Sequence, residues 1–493
     1  MPPTAIRQKP KATCPDYQTY ASAFHKPGSG GTLNLPFQRP PVSCRNFYSG
    51  AVEGVINDLT SKMKDLDLAQ LFRNAYPNTL DTTVQDGCVN DTCDERPKTF
   101  VITGDIPAMW IRDSTSQMNP YMPLAPQEPS LKKMILGVIY MQAQFLNLDT
   151  YANAFELPAS SSSTDVDLHS QDTGGGGSAR VWEEKYEIDS LANFLRLSHS
   201  YWNTTGDSSF TKDPAWMSAV KKVIDTIHEQ QTPTFDAQDK PTKEFYKFVK
   251  SSTRPTETQF LDGRGNPTVR TGLVRSLFRP SDDATIFPFF IPGNAMLSVE
   301  LHHLSEMLNA TNSDFNVSAT AAMLSDEIRQ AIYDHAIISH PQYGKVFAYE
   351  VDGYGSNLIM DDANIPSLLS LPYLGFVDQN DATYQNTRKL VLSTSNPFYF
   401  EGPRGAGIGG PHVGLSAVWP MSLVVKILTS SNDDEIRSSL STLLNTTDST
   451  GLIHESFDTW DEGSYTRPWF SWANGLFGEA IVKIARERPH LLF

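Results

Sequence analysis

The 493-residue sequence predicts an all-α fold, a toroid of paired helices or (α/α) barrel with minor β-hairpins in its loops. Two observations carry this. Apolar residues recur at helical spacing in stretch after stretch, whereas strand-like alternation is sparse. The unusual polar motifs fall between the apolar stripes and not on them. In a chain of helical hairpins, the connections at one end converge on a common pocket.

The elements follow in chain order. Residues 1–45 are rich in Pro and Gly, with "KPGSGG" at 26–31, and read as an extended N-terminal arm over the surface. Residues 46–493 read as one domain. Ile56, Leu59 and Met63 open the helical pattern, and Met134, Val138, Met141 and Phe145 continue it. Trp216, Ala219, Val220, Val223, Ile224 and Ile227 form the clearest stripe, introduced by Asp213 as a cap and Pro214 in the first turn. Leu297, Leu301, Leu304 and Leu308 make another, followed by Leu324, Ile328 and Ala331. Ile436, Leu440 and Leu443, then Phe477, Ile481 and Ile484, complete the series. The best strand candidates are "TFVIT" at 99–103 and "VFAYEV" at 346–351. The low-complexity stretch at about 158–180, ending in "GGGGSAR", reads as a flexible insertion within the domain, because helices of like character flank it.

Composition narrows the function. The chain is 39% hydrophobic and 11% aromatic, as a globular enzyme is. It has no apolar run long enough to cross a membrane. A net charge of −16 repels nucleic acid phosphates, so a neutral ligand is the simpler expectation. The four cysteines, Cys14, Cys44, Cys88 and Cys93, lack zinc spacing. Two disulfides are expected, Cys14–Cys44 and Cys88–Cys93, among the three connectivities that four cysteines allow. Sequons begin at Asn90, Asn203, Asn309, Asn316 and Asn445. Together these favour a secreted protein, although the opening "MPPTAIRQKPK" has no hydrophobic signal core and leaves a cytoplasmic location as the alternative.

Six connecting segments mix aromatic rings with carboxylates, arginines, Asn or His. They are "GDIPAMWIRDS", "VWEEKYEIDS", "LFRPSDDATIFPFFIPGN", "YEVDGYGSNLIMDDANIPSLLSLPYLG", "GPHVGLSAVWPMS" and "LIHESFDTWDEGSYTRPWFSWANG". Sugars need this mixture: apolar C–H faces stack on indole rings, and hydroxyls suit carboxylates, Arg, Asn and His. Glycosidic cleavage needs two carboxyl groups, one to protonate the leaving oxygen and one as base or nucleophile. Singly, each motif has a plainer reading. Asp282-Asp283 and Asp361-Asp362 resemble helix caps. Arg112-Asp113 resembles a structural ion pair. Trp469 and Trp472 resemble core residues. Recurrence in successive connections is what favours a site. Phosphate-loop, zincin and nucleophile-elbow motifs are absent.

Taken in order, these blocks resemble glycoside hydrolase family 125, a family of metal-independent exo-α-1,6-mannosidases, from about residue 50 to the C-terminus. "MDDANIPSLLSLPYLG" is the most specific of them. The resemblance implies an (α/α)6 barrel that releases non-reducing α-1,6-linked mannose with inversion. It also implies no metal and no cofactor, with an aspartic general acid and a glutamate general base. The base carries over onto Glu455 and the acid onto Asp282, in preference to Asp283. The expected sugar-binding residues are Trp110, Arg112, Asp113, Trp182, Glu184, Lys185, Arg279, Asp283, Asp362, Asn364, His412, His454, Arg467 and Trp469. The expected partners are mannose-containing oligosaccharides, such as mannobiose or the ends of N-glycans and mannan, bound by a monomer. The alternatives are a glucoamylase-like inverting glycosidase of the same fold and a catalytically silent carbohydrate-binding protein.

Overall fold

The computed structural model describes residues 14–87, 96–157, 180–461 and 463–493. Cys88, Cys93, the Asn90 sequon and all but the last residue of the 158–180 insertion lie outside them. Fifteen α-helices are present among the described residues. In chain order they are α1 (Tyr17–Ser22), α2 (Gly50–Thr60), α3 (Leu66–Ala75), α4 (Asn78–Thr82), α5 (Ile111–Met118), α6 (Pro129–Leu148), α7 (Ile188–Thr205) and α8 (Pro214–Gln230). There follow α9 (Phe260–Gly263), α10 (Ile291–Thr311), α11 (Phe315–His335), α12 (Ala382–Val391), α13 (Pro420–Leu428), α14 (Asp433–Asn445) and α15 (Ser471–Glu487).

They form the double ring of an (α/α)6 barrel. In the inner ring α5 packs on α7 and α15, α7 on α10, and α13 on α15. The remaining inner position is taken by turns at 366–376. Tyr373 holds this segment in place, under the Arg196 guanidinium at 4.9 Å and donating to Glu479 of α15 at 3.2 Å. Outer helices cover the ring: α3 lies on α15, α11 on α10, and α14 on α13. Helix α8 shows why the sequence folds this way. Asp213 accepts hydrogen bonds from the Ala215 and Trp216 amides, Pro214 starts the first turn, and the Trp216-to-Ile227 stripe is buried. The other stripes also land on buried helix faces; Met63 is buried too, three residues beyond the end of α2.

Short strands fix where the inner helices begin. Met109–Trp110 pairs with Ala154–Phe155, which pairs with Val181–Glu183, immediately ahead of α5. Phe289–Phe290, ahead of α10, pairs with Glu350–Val351, and Ala417–Val418, ahead of α13, pairs with Ser456–Asp458. The ends of the insertion are thereby held side by side within one sheet. "TFVIT" contains the strand Thr99–Val101, and "VFAYEV" divides between two strands ending at Phe347 and Val351.

The N-terminal arm is less extended than its composition suggests. Its described part carries α1, capped by Asp16, and buries Tyr17 edge-on against Trp469 at 4.9 Å between ring centroids. The Cys14–Cys44 disulfide is formed.

Candidate active site

A cavity of about 200 Å³ opens where the N-terminal ends of the inner helices meet. Trp110 and Arg112 reach it from the start of α5, Trp419 from α13, and Phe470 and Trp472 from α15. Loops add Thr103, Ile106, Pro280, Ser281, Asp282, Asn364, His412, Glu455 and Arg467, and Asp113 completes the wall. The indole nitrogens of Trp110, Trp419 and Trp472 are buried without a hydrogen-bond partner in the protein, as are Nε of Arg112 and Oδ2 of Asp113. Buried polar atoms in a folded core are normally satisfied. A wall carrying this many open donors and acceptors suits a polyhydroxylated ligand.

One side of the cavity is organised by Arg112, whose side chain is 4% exposed. Its terminal nitrogens reach Glu187 Oε2 at 2.5 Å and Asp282 Oδ1 at 3.2 Å. Asp113 lies 3.6 Å from Nε, and Asp189 lies 3.7 Å from Nη1. Four carboxyl groups thus surround one guanidinium. Burial pushes Asp113 up to about 6 and Asp189 up to about 7, against the pull of Arg112. Burial likewise raises Glu187 well above the usual carboxylate range. Asp282 goes the other way: burial opposes its charge, but Arg112, Lys185 and His412 together hold it below the ordinary value. Asp282 also sits at φ 68°, a left-handed conformation that costs a residue with a Cβ on the order of 1 kcal/mol.

The opposite side centres on Glu455, at the start of the Ser456–Asp458 strand. Arg467 Nη1 donates to Glu455 Oε1 at 3.4 Å. Arg467 Nε donates to Asp105 Oδ1 at 2.8 Å, and Nη2 also bonds Asp105. The guanidinium is stacked 4.8 Å above the Phe470 ring. Gly104 makes this possible, because a Cβ there would collide with the Trp469 carbonyl. Arg467 itself adopts φ 45°. Asp105 and the Phe470 ring thus hold the guanidinium in place, and its remaining nitrogen fixes the direction of the Glu455 carboxylate.

Between the two sides, His412 Nδ1 approaches Asp283 Oδ1 at 3.4 Å. Burial works against the imidazolium, but the bond to Asp283 and the charges of Asp282 and Glu455 outweigh it and push His412 up to about 9. Asn364 is held by its own side-chain bond to Asp362 Oδ1 at 3.1 Å. Asp361 accepts the Leu368 and Leu369 amides at 2.8 and 2.9 Å, shaping the "DDANIP" turn rather than the cavity wall.

Of the residues expected from sequence, Trp110, Arg112, Asp113, Asp282, Asn364, His412, Glu455 and Arg467 come together on the cavity wall. Asp283 and Asp362 stand directly behind it, under His412 and Asn364. Trp182 packs against the small apolar cluster of Ala108, Trp110 and Ala154 and does not line the cavity. Lys185 pairs with Glu183 at 3.0 Å and acts on Asp282 through its charge. Arg279 is taken up by Glu350 at 2.6 Å. Glu184 interacts with Asp149, His454 bonds the Thr447 carbonyl at 3.0 Å, and the Trp469 indole donates to Thr82 at 3.1 Å, so these three support the site from outside it. Glu187, adjacent to Arg112, is absent from the sequence expectation, although its block "VWEEKYEIDS" was recognised. Helix-start acidic residues commonly serve as caps, and Glu187 occupies the cap position of α7 without making a cap bond. Trp419 and Trp472 were legible only as aromatic members of their blocks.

One group of described residues has the composition of a metal site: His199, Glu300 and His303, on α7 and α10. The two imidazoles stack at 4.2 Å with planes 9° apart. Near-parallel planes share no point at which both rings could ligate one ion, and none of the three lines the cavity.

Residues 65–482 match the metal-independent α-mannosidase family, glycoside hydrolase family 125. The chain is 50% identical over 489 residues to the meiotically up-regulated gene 157 protein of Schizosaccharomyces pombe, covering 98% of this chain and 95% of that one. A Streptococcus pneumoniae metal-independent α-mannosidase, solved in a non-productive complex with α-1,6-mannobiose, superposes with a TM-score of 0.81 at 35% identity, covering 90% of this chain and 100% of that one. A bacterial glucoamylase bound to acarbose shares the fold alone, with a TM-score of 0.50 at 12% identity over 86% of this chain and 57% of its own. The chain therefore belongs to glycoside hydrolase family 125, the metal-independent α-mannosidases.

Proposed function

We propose that the cavity is the −1 subsite of an exo-acting, inverting α-1,6-mannosidase, with Asp282 as general acid and Glu455 as general base. The observation that carries this reading is the pair of differently treated carboxyls on one small cavity. Glu455 is held in direction by the Arg467 guanidinium, as a base aimed at one water requires. Asp282 is held in a strained turn facing the same space. The indoles of Trp110, Trp419 and Trp472 supply apolar surface for one pyranose ring, and Arg112, Asp113, Asn364 and His412 supply partners for its hydroxyls. In the reaction, Asp282 donates a proton to the leaving oxygen as the C1–O bond breaks. Glu455 takes a proton from the water that attacks C1 from the other face. The linkage preference draws support from the α-1,6-mannobiose held by the Streptococcus pneumoniae relative.

The test is an NMR time course on α-1,6-mannobiose. Initial release of β-mannose is expected, and initial α-mannose would contradict inversion. Glucose release from α-glucans in preference to mannose would favour the glucoamylase-like alternative. Full activity in excess chelator is expected, because every step is assigned to carboxyls.

We further infer that the chain follows the secretory route. All four sequon asparagines among the described residues, Asn203, Asn309, Asn316 and Asn445, are exposed, and the Cys14–Cys44 bond suits an oxidising compartment. A mobility shift of the native protein on treatment with an N-glycosidase is expected; no shift would remove this assignment.

A further inference from the structure

Taking Asp282 as the general acid raises a difficulty that its surroundings answer. An acid must carry a proton when substrate arrives, yet Arg112, Lys185 and His412 all favour its ionised form. The group beside it is Glu187. Both carboxyls sit on one guanidinium, Glu187 at 2.5 Å on Nη1 and Asp282 at 3.2 Å on Nη2 of Arg112, so each acts on the charge of the other. Two carboxyls gathered on one guanidinium repel each other when both are ionised, which favours a state in which one of them keeps its proton. The Glu187 side chain is fully buried, whereas that of Asp282 is 27% exposed toward the cavity. Asn153 and Ser190 donate to Glu187 at 3.2 and 3.3 Å and hold it in place. The other charged groups facing it are Asp113 from α5, Asp189 from its own helix and Lys185 from the preceding loop, with His412 beyond Asp282.

We propose that Glu187 is a positioning residue for the acid, sharing a single proton with Asp282 across the Arg112 fork and returning it as the leaving oxygen departs. The inference rests on the assignment of Asp282 above. Before reaction the proton resides on Glu187, the more buried partner. The proton passes from Glu187 to Asp282, and as the glycosidic C1–O bond breaks its electron pair takes that proton from Asp282. Glu187 is left ionised against Arg112. The attacking water loses its proton to Glu455, so the step consumes one water and the two carboxyl sites re-equilibrate with solvent afterwards. The arrangement also accounts for Glu187 occupying the cap position of α7 without capping it.

The experiment is the pH dependence of kcat/KM on α-1,6-mannobiose for the wild type, Glu187→Gln and Glu187→Asp. A glutamine keeps the hydrogen bonds to Arg112 but has no proton to share, and its amide donates to ionised Asp282. The alkaline limb of Glu187→Gln is therefore expected about one pH unit or more lower, about a tenfold loss of kcat/KM above that limb. Loss on a dinitrophenyl α-mannoside, whose leaving group needs little protonation, should stay within about threefold. Glu187→Asp retains a shareable proton and is expected to keep the wild-type limb even if its rate falls. An unmoved limb in Glu187→Gln, or equal losses on both substrates, would make Glu187 only an anchor for Arg112 and overturn the proposal. If Glu187→Gln does not fold, a displaced limb in a folded Glu187→Asp would overturn it equally. A wild type inactive on every mannoside would instead remove the mannosidase reading on which it depends.

Discussion

The outer helix α8 and the cavity wall were built by opposite rules. In α8 every local choice agrees: a capping Asp213, Pro214 in the first turn and an apolar stripe that is buried throughout. Along the cavity the local rules are broken one after another. Asp282 and Arg467 take left-handed backbone, Glu187 fails to cap its helix, and three indole nitrogens stay unpaired. Four carboxyls crowd one arginine. On the proposed reading, stability concentrates in the first region, and binding and proton transfer concentrate in the second, at a cost in strain and desolvation.

Substitutions can break this contrast if it is wrong. The largest expected effect is that of Glu455→Gln, which should lower kcat by about 10³-fold or more while leaving mannoside binding and melting temperature nearly unchanged. Unchanged turnover would take Glu455 out of the mechanism. Arg467→Met comes next: freed of its anchor, Glu455 should lose direction, and a fall of about 10²-fold in kcat/KM is expected. Trp216→Ala reverses the pattern. It should cost about 3–5 kcal/mol of stability, read by denaturant titration, with kcat retained in the folded fraction. Asp213→Ala is the smallest, about 1 kcal/mol for a lost cap, with no change in kinetics. Were Trp216→Ala to lower kcat in fully folded enzyme, the separation of the two regions would fail.

The two regions also differ in how far they could be read from sequence. The α8 stripe, the cap at Asp213 and the stripes of α6, α10, α11, α14 and α15 followed from spacing, because a helix repeats locally. The cavity residues that were legible, such as Trp110, Arg112, Asn364 and Glu455, stood out through blocks of polar and aromatic residues between helices. Asp283 and Asp362 lie in the same blocks as true wall residues, yet they sit one layer behind, supporting His412 and Asn364. Neighbours in sequence alternate between facing a cavity and backing it, and a loop's direction is set by distant partners. Trp469 makes the point: three residues from Trp472, it turns outward to Thr82 and Tyr17.

By itself, then, the sequence determined the helical repeat, the paired-helix architecture and the chemical character of the pocket, since these depend on spacing and residue type. The tertiary structure alone decided which carboxyls share Arg112, which one Arg467 anchors, and that Glu187 stands behind Asp282. The Arg112 pairings join residues 75 and 170 positions apart, and Arg467 is held toward Glu455 by Asp105, 362 positions away. The proton affinity of a carboxyl depends on the burial and charges that folding brings within a few ångströms of it, and no local pattern encodes them.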